Sequence, residues 1–358
     1  MKKYNVGLLG ATGMVGQRFL MLLENHPWFN VVCLAASEKS AGKKYRDAVK
    51  IRRISDPMPS KYAEMPVYDA VADIKEITAS VDFCFCAINT DKEKSAALEE
   101  AYVKSECPIV SNNSAHRGTP DVPMIIPEVN PGHLEIIPAQ RKRLNTKRGF
   151  IAVKSNCSLQ SYIPLMQPLI KFGIESAVIC TYQAISGAGK TFDTMPEISD
   201  NIIPYIKGEE EKSELEPLKI WGKIEGSIIV PAESPVITAQ CVRVPVTDGH
   251  TAAVFVKFRN KPSKEEIIGL WKNFEGEPQK LGLPTAPKQA IHYFPDDDRP
   301  QPAIDRNCEN GMAVCVGRLR EDRLFDYKFV GLSHNTLRGA AGGAVLLAEL
   351  IAAKGYFD

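Results

Sequence analysis

Hydrophobic and polar positions alternate in two regimes along this chain. Up to about residue 154, short apolar runs of strand length are separated by stretches with helical spacing. Asn5-Val6-Gly7-Leu8-Leu9 is such a run. It breaks at Gly10-Ala11-Thr12-Gly13-Met14-Val15-Gly16 and continues to Glu24 with Val15, Phe19 and Leu22 on one helical face. Residues 31–36, 81–87 and 108–111 predict further buried strands, ending at polar positions such as Ser37, Asn89-Thr90 and Asn112-Asn113. After Lys154 the pattern changes. An apolar stretch over 158–166 predicts a helix. Strands are predicted over 177–183 and 241–246, and Val254, Val256 and Phe258 alternate as in a sheet. The small-residue segment 335–344 leads into an apolar helix over Val345–Ala353, which is expected to return to the first domain. The fold expected is α/β: an N-terminal Rossmann-like, doubly wound parallel sheet over 1–154, completed by a C-terminal helix within 335–358, and an α+β domain over 155–334.

A strand, a tight glycine turn and a helix make a pyrophosphate site. Small residues let the backbone approach the phosphates, and the helix start presents unpaired N–H groups. Gly10, Thr12, Gly13, Met14, Val15 and Gly16 are therefore candidate cofactor residues, although the spacing is G-x-x-G-x-x-G rather than the commoner G-x-G-x-x-G. After the second strand come Ser37-Glu38-Lys39-Ser40-Ala41-Gly42-Lys43-Lys44. Ser37, Ser40 and three lysines suit a ribose 2′-phosphate, hence NADP, whereas Glu38 would suit a free 2′-hydroxyl. Asn89, at a strand end, joins the cofactor candidates.

Composition adds exclusions. Hydrophobic content of 44%, charged content of 24% and a net charge of +1 are those of an ordinary globular protein with no bias toward nucleic acid or anionic membranes. No export signal or bilayer-length apolar run is visible, so a cytoplasmic protein is expected. Nine cysteines without metal-ligand spacing imply free thiols, with Cys84 and Cys86 as small core residues. Cys157, in Ser155-Asn156-Cys157-Ser158, is different: it precedes the predicted helix 158–166, whose start would stabilise a thiolate and an oxyanion. A cysteine can form a thioester, a histidine can move its proton, and a nicotinamide can exchange hydride with the carbon held there. His250 is one candidate histidine among six, the others being His26, His116, His133, His292 and His334. Ser186 and Gly187, in a small-residue loop, permit close approach of substrate or nicotinamide. Arg243 could hold a carboxylate bidentately. Glu210 and Glu211 are expected to be a solvated face.

Taken in order, GATGMVGQRF, SNNSAHRGTPDVPMIIPEVN, SNCS, TYQAISGAGK, GEEEK, RVPVTDGH and SHNTLRGAAGGA resemble the aspartate-β-semialdehyde dehydrogenases over essentially the whole chain, most closely the fungal and archaeal branch. That resemblance implies NADPH-dependent reduction of aspartyl β-phosphate to the semialdehyde, with release of phosphate, on the way to lysine, threonine, methionine and diaminopimelate. It implies Cys157 as nucleophile, His250 as acid/base and Gln183 as the residue orienting the acyl group. Arg243 would hold the α-carboxylate, Glu209 the amino group, and Lys212 and Arg117 the phosphate, with Asn156 beside the substrate and Asn335 and Thr336 beside the cofactor. The second domain would catalyse and dimerise, giving a homodimer or a dimer of dimers. The family commonly has a threonine pair after the cysteine; here it is Ser158-Leu159. The rival expectations are a malonyl-CoA reductase on the same scaffold, which needs no site for an amino group, and a nucleotide-binding regulator without catalysis.

Overall fold

In the computed structural model, residues 2–49, 57–88 and 90–358 are described. The first layer is a seven-stranded sheet built from β1 (Tyr4–Leu9), β2 (Phe29–Ala36), β3 (Val67–Asp69), β4 (Phe83–Cys86), β5 (Ile109–Ser111), β6 (Met124–Ile125) and β7 (Ile151–Lys154), in the order β3-β2-β1-β4-β5-β7-β6. Every pairing in it is parallel. The strand order reverses between β1 and β4, and the loops leaving their carboxyl ends open a crevice there, the usual ligand position in such sheets.

The first helix, Met14–Leu23, buries Gly16, Phe19, Leu20 and Leu23 against this sheet. That stripe is offset from the expected Val15-Phe19-Leu22 face: Val15 and Leu22 are only half-buried. The offset turns Val15 toward the crevice. Aromatic side chains from three strands fill one side of the sheet. Phe29, Phe83 and Phe85 meet edge to face, and Phe357 stacks on Phe83 at 4.1 Å. The C-terminal helix Gly342–Ala353 lies against β5 and β7. Its one charged side chain, Glu349, is fully buried and accepts from Thr285 N–H at 3.0 Å, with His26 Nε2 at 2.7 Å.

The second sheet comprises β8 (Ile174–Gln183), β11 (Val236–Arg243), β12 (His250–Phe258), β13 (Ile291–Phe294), β14 (Val314–Glu321) and β15 (Tyr327–Ser333); a small hairpin, β9 (Lys223–Glu225) and β10 (Ile228–Val230), stands apart. The order is β11-β8-β12-β15-β14-β13, with both parallel and antiparallel pairs. Alternation along β8 buries Ala177, Ile179 and Thr181 on one face. The other face carries Val178, Cys180 and Tyr182, paired across from Phe255, Ala253 and Thr251, and stays half covered.

The segment after Cys157 is not the continuous helix that its apolar run predicts. It folds as a 3₁₀ turn over Ser158–Ser161, one α turn over Ile163–Met166 and a second 3₁₀ turn over Gln167–Phe172. Pro164 and Pro168 follow each other within five residues, and each starts a new turn rather than continuing the previous one. Leu159 is fully buried in the apolar core.

Candidate active site

The site forms where the carboxyl ends of β1, β4, β5 and β7 face the end of β8 and the start of β12 in the second sheet. Two clefts meet there. One, of about 610 Å³, is lined by Gly10, Thr12, Gly13, Met14, Val15, Ser37 and the loop Ser186–Lys190. The other, of about 270 Å³, holds Asn112, Ser114, Arg117, Lys154, Asn156, Cys157, Glu209, Lys212, Asn335 and Thr336. Val15, Ala87, Ser186 and Gly187 line both, so an occupant of the first can reach into the second.

The dinucleotide loop has the backbone this requires. Gly10 lies at φ +88°, and a Cβ there would stand 2.7 Å from the Ala87 carbonyl. Gly16 packs under the turn rather than lining the cleft. Ser37 lines the cleft, but Ser40 does not; its amide closes a turn onto the Ser37 carbonyl. Of the nearby lysines, Lys44 pairs with Glu64 and Lys43 donates to the Lys39 carbonyl. Glu38 is exposed and outside the lining. Asn89 lies outside the described residues.

Cys157 Sγ lies 3.4 Å from His250 Nε2. The other five histidines are engaged elsewhere: His26 with Glu349, His116 with Thr119, His133 with Gly222, His292 with Glu309 and His334 with Thr336. One residue, Ala184, orients both groups that His250 and Arg243 bring, through the peptides on either side of it. Ala184 N–H donates to His250 Nδ1 at 3.0 Å, and Arg243 Nη1 donates to the Ala184 carbonyl at 2.7 Å. Because Nδ1 accepts, the neutral ring carries its proton on Nε2, facing sulfur. Burial, then the charge of Arg243, holds the His250 ring neutral, well below the ordinary imidazole range.

The thiol is not the acid that a helix start was expected to make. Burial and then the Glu209 carboxylate push the Cys157 thiol up, against the pull of Lys154, Arg117 and Arg243. The turn behind it is too short and irregular to supply a helix dipole. Asn156 braces the Cys157 turn from one residue away: its Oδ1 accepts from Ser158 N–H and Oγ–H at 2.8 Å, and its Nδ2 donates to Glu209 at 2.9 Å.

Two models of known protein families match the chain. A model described as the semialdehyde dehydrogenase NAD-binding domain matches residues 5–137, and one described as the semialdehyde dehydrogenase dimerisation domain matches 165–338. The chain belongs to the semialdehyde dehydrogenase family. It is 44% identical over 356 residues to an aspartate-semialdehyde dehydrogenase of Schizosaccharomyces pombe, and 42% identical over 350 residues to one of Archaeoglobus fulgidus; each alignment covers 98% of both chains. Among solved structures, aspartate semialdehyde dehydrogenase with NADP from Candida albicans superposes with a TM-score of 0.89 at 39% identity, covering 99% of this chain and 100% of that one. Aspartate semialdehyde dehydrogenase II complexed with ASA from Vibrio cholerae superposes with a TM-score of 0.75 at 25% identity, also over 99% and 100%.

Among the described residues, one face of the helix Glu209–Ile220 supplies two of the four charged side chains that line the second cleft, Glu209 and Lys212, and two more behind them. Glu209, Lys212, Glu216 and Lys219 recur at intervals of three and four residues. Lys212 donates to Glu209 at 2.8 Å. Gln183 Nε2, fully buried on β8, donates to the same carboxylate at 3.2 Å. Burial opposes ionisation of Glu209, but the Lys212 charge and the bonds from Lys212, Gln183 and Asn156 outweigh it and hold the carboxyl below its usual range. Glu216 receives Arg117 Nη1 at 3.0 Å and Asn156 N–H at 2.7 Å, and Lys219 donates to the carbonyls of Arg117 and Thr119. Sequence reasoning missed Glu216, Lys219 and Lys154; the helical spacing from Glu209 was the signal that could have found the first two. Glu210, expected in solvent, instead accepts from Gln240 Nε2 at 2.7 Å and pins this helix to β11. Arg117 is fixed by the Lys154 and Asn112 carbonyls as well as by Glu216. Asn335 bridges Gly249 N–H and Ser186 Oγ, both at 2.8 Å, and Thr336 Oγ donates to Asp248 at 3.4 Å.

Proposed function

We propose that this chain catalyses NADPH-dependent reductive dephosphorylation of L-aspartyl-4-phosphate to L-aspartate-4-semialdehyde through a thioester on Cys157. The observation that carries this reading is a cysteine sulfur 3.4 Å from an imidazole Nε2, at the junction of a dinucleotide cleft and a cation-rich cleft. Cys157 Sγ attacks the acyl carbon and phosphate leaves. When bound, the nicotinamide supplies the hydride that reduces the thioester. His250 Nε2–H steadies the negative charge that returns to sulfur as the thiohemiacetal collapses. Arg117 and Lys212 hold the phosphate, Arg243 the α-carboxylate and Glu209 the amino group; Gln183 and Asn156 fix Glu209 and, through it, the acyl carbon. The loop Gly10–Gly16, with Ser37, Ser40, Asn89, Ser186, Gly187, Asn335 and Thr336, binds NADP or shapes its cleft.

The division proposed is an NADP-binding unit over 1–154 with the helix of 335–358, and a catalytic and dimerisation unit over 155–334. The half-covered face with Val178, Tyr182 and Phe255 supports a homodimer, or a dimer of dimers. The enzyme would work in the cytoplasm, at an early step toward lysine, threonine, methionine and diaminopimelate. Among the described residues no helix is long and apolar enough to cross a membrane.

The test is NADP reduction by aspartate semialdehyde with and without inorganic phosphate. Phosphate-dependent formation of NADPH is expected. A protein that reduces malonyl-CoA and ignores the semialdehyde would replace this reading, and one inert to both would be a regulator. The Glu209–Lys212 pair argues against malonyl-CoA, which has no amino group to meet the carboxylate.

A further inference from the structure

The dinucleotide cleft has two unlike walls. Among the described residues, the wall from the parallel sheet, running from Gly10 to Val15 and on through Ser37 and Thr90, carries no charged side chain. It offers backbone instead: the helix Met14–Leu23 starts at Gly13 with no side-chain cap, so its first N–H groups are open to an anion. The other wall is the loop Ser186–Lys190, which follows β8, and Lys190 is the one charged side chain among the described residues that line the cleft. No carboxylate among the described residues pairs with it. Lys43 and Lys44, close in sequence to Ser37, lie outside the lining, one on the Lys39 carbonyl and the other on Glu64. NADP brings a pyrophosphate and a 2′-phosphate to this cleft, and the first wall has no cation to meet either.

The loop that carries Lys190 is tied to the catalytic groups. It leaves Ala184, which holds His250 Nδ1 on its N–H and Arg243 on its carbonyl. Ile185 N–H donates to the Val246 carbonyl at 2.9 Å and Ser186 N–H to the Thr247 carbonyl at 3.3 Å, so the loop is braced on the segment that leads into His250. Its end folds back on its start: Gly189 N–H donates to the Ser186 carbonyl at 2.9 Å and Lys190 N–H to the Ile185 carbonyl at 3.4 Å. A group that grips Lys190 therefore grips the support of His250 and Arg243.

We propose that Lys190 closes the dinucleotide cleft by pairing with a phosphate of the cofactor, and so joins bound NADP to the loop that orients His250 and Arg243, a role that rests on the NADP reading above. The phosphates are unchanged by hydride transfer, so the clasp holds NADP and NADPH alike and takes no part in the bond changes at Cys157. Its effect is on binding and on the order of the loop. Backbone N–H groups at the helix start fix the register of the phosphates, and Lys190 adds the counter-charge that they lack. An ammonium is a point charge without a fixed fork, so it can meet the pyrophosphate or the 2′-phosphate.

The test compares Lys190→Met and Lys190→Arg in the full chain, titrated with NADPH and with NADH by calorimetry. Lys190 is exposed, so both variants should melt like the wild type without cofactor. Lys190→Met should raise the Kd for NADPH about fivefold, the scale of one ion pair open to solvent. Its affinity should also fall less steeply with added salt than that of the wild type. Lys190→Arg should bind NADPH as tightly as the wild type. An equal loss for NADPH and NADH places the ammonium on the pyrophosphate; a loss confined to NADPH places it on the 2′-phosphate, and both support the role. At saturating NADPH the wild-type amides of residues 185–190 should exchange with deuterium more slowly than in the free protein, and Lys190→Met should lose that protection. A Kd for NADPH in Lys190→Met within about 1.5-fold of the wild type, or protection that survives in that variant, overturns the proposal. A wild type that binds neither cofactor would instead overturn the NADP reading it rests on.

Discussion

Gly187→Ala should cripple the enzyme while leaving it folded. A Cβ at this position would stand 2.9 Å from Arg243 Nη1, 2.9 Å from His250 Cε1 and 3.0 Å from His250 Nε2. Unstrained non-bonded contacts lie near about 3.5–4.0 Å, so the two side chains must retreat by roughly 0.5–1 Å. Both hang from Ala184, one on its N–H and one on its carbonyl, so neither can move without loosening those bonds. Overpacking of this kind costs about 1–3 kcal/mol. A misplacement of about 1 Å at reacting groups costs about a hundredfold in rate. Fold stability should fall by less than that cost, by at most about 2.6 kcal/mol. Gly187 is exposed, its backbone is outside the left-handed region, and an alanine there removes about 0.4–1 kcal/mol of unfolded-state freedom. The assay is kcat/KM for phosphate-dependent NADP reduction, measured beside thermal unfolding. A variant that melts like the wild type and keeps kcat/KM within about threefold, under 1 kcal/mol of barrier, would refute the geometry described for Arg243 and His250.

Cys157→Ala should abolish turnover and Cys157→Ser leave very little, whereas His250→Ala should lose about 10²–10⁴-fold; steady-state rates decide. Glu216→Ala strands the Arg117 guanidinium and the Asn156 N–H in a buried site and should destabilise by about 3–5 kcal/mol, seen as a lower melting temperature, with a weaker KM for phosphate. Lys154→Met should stabilise the protein most in acid. The folded ammonium titrates at about 7 and the unfolded one at 10.5, so the cost of burying the charge is full below 7 and fades as pH rises toward 10.5. A melting difference between variant and wild type that is flat from pH 6 to 10 would contradict this.

The strand-turn-helix at Gly10–Gly16, Cys157 in its tetrapeptide and the second sheet's alternation were legible because each is local: its signal lies within a dozen residues. The resemblance to a family singled out His250, which pattern alone leaves as one histidine in six. What stayed hidden was juxtaposition. Glu216 meets Arg117 and Asn156 across 99 and 60 residues, and nothing in its own stretch of sequence points to either partner. Lys154 marked only the point where the pattern changes, since nothing nearby in sequence shows that it is buried in the cleft with Cys157. The helix expected after Cys157 failed for a local reason, two prolines that each restart the turn.

The C-terminal helix has a consequence for how the chain comes into being. Glu349 reaches His26, Phe357 stacks on Phe83, and Asp358 meets Lys2 and Tyr4. Leaving the ribosome, the parallel sheet is made first, yet its apolar side waits for residues some two hundred positions behind β7 to cover it. Through most of translation that side is an open surface for chaperones, and lesions that stop synthesis within the last turns should yield aggregates rather than a partial enzyme.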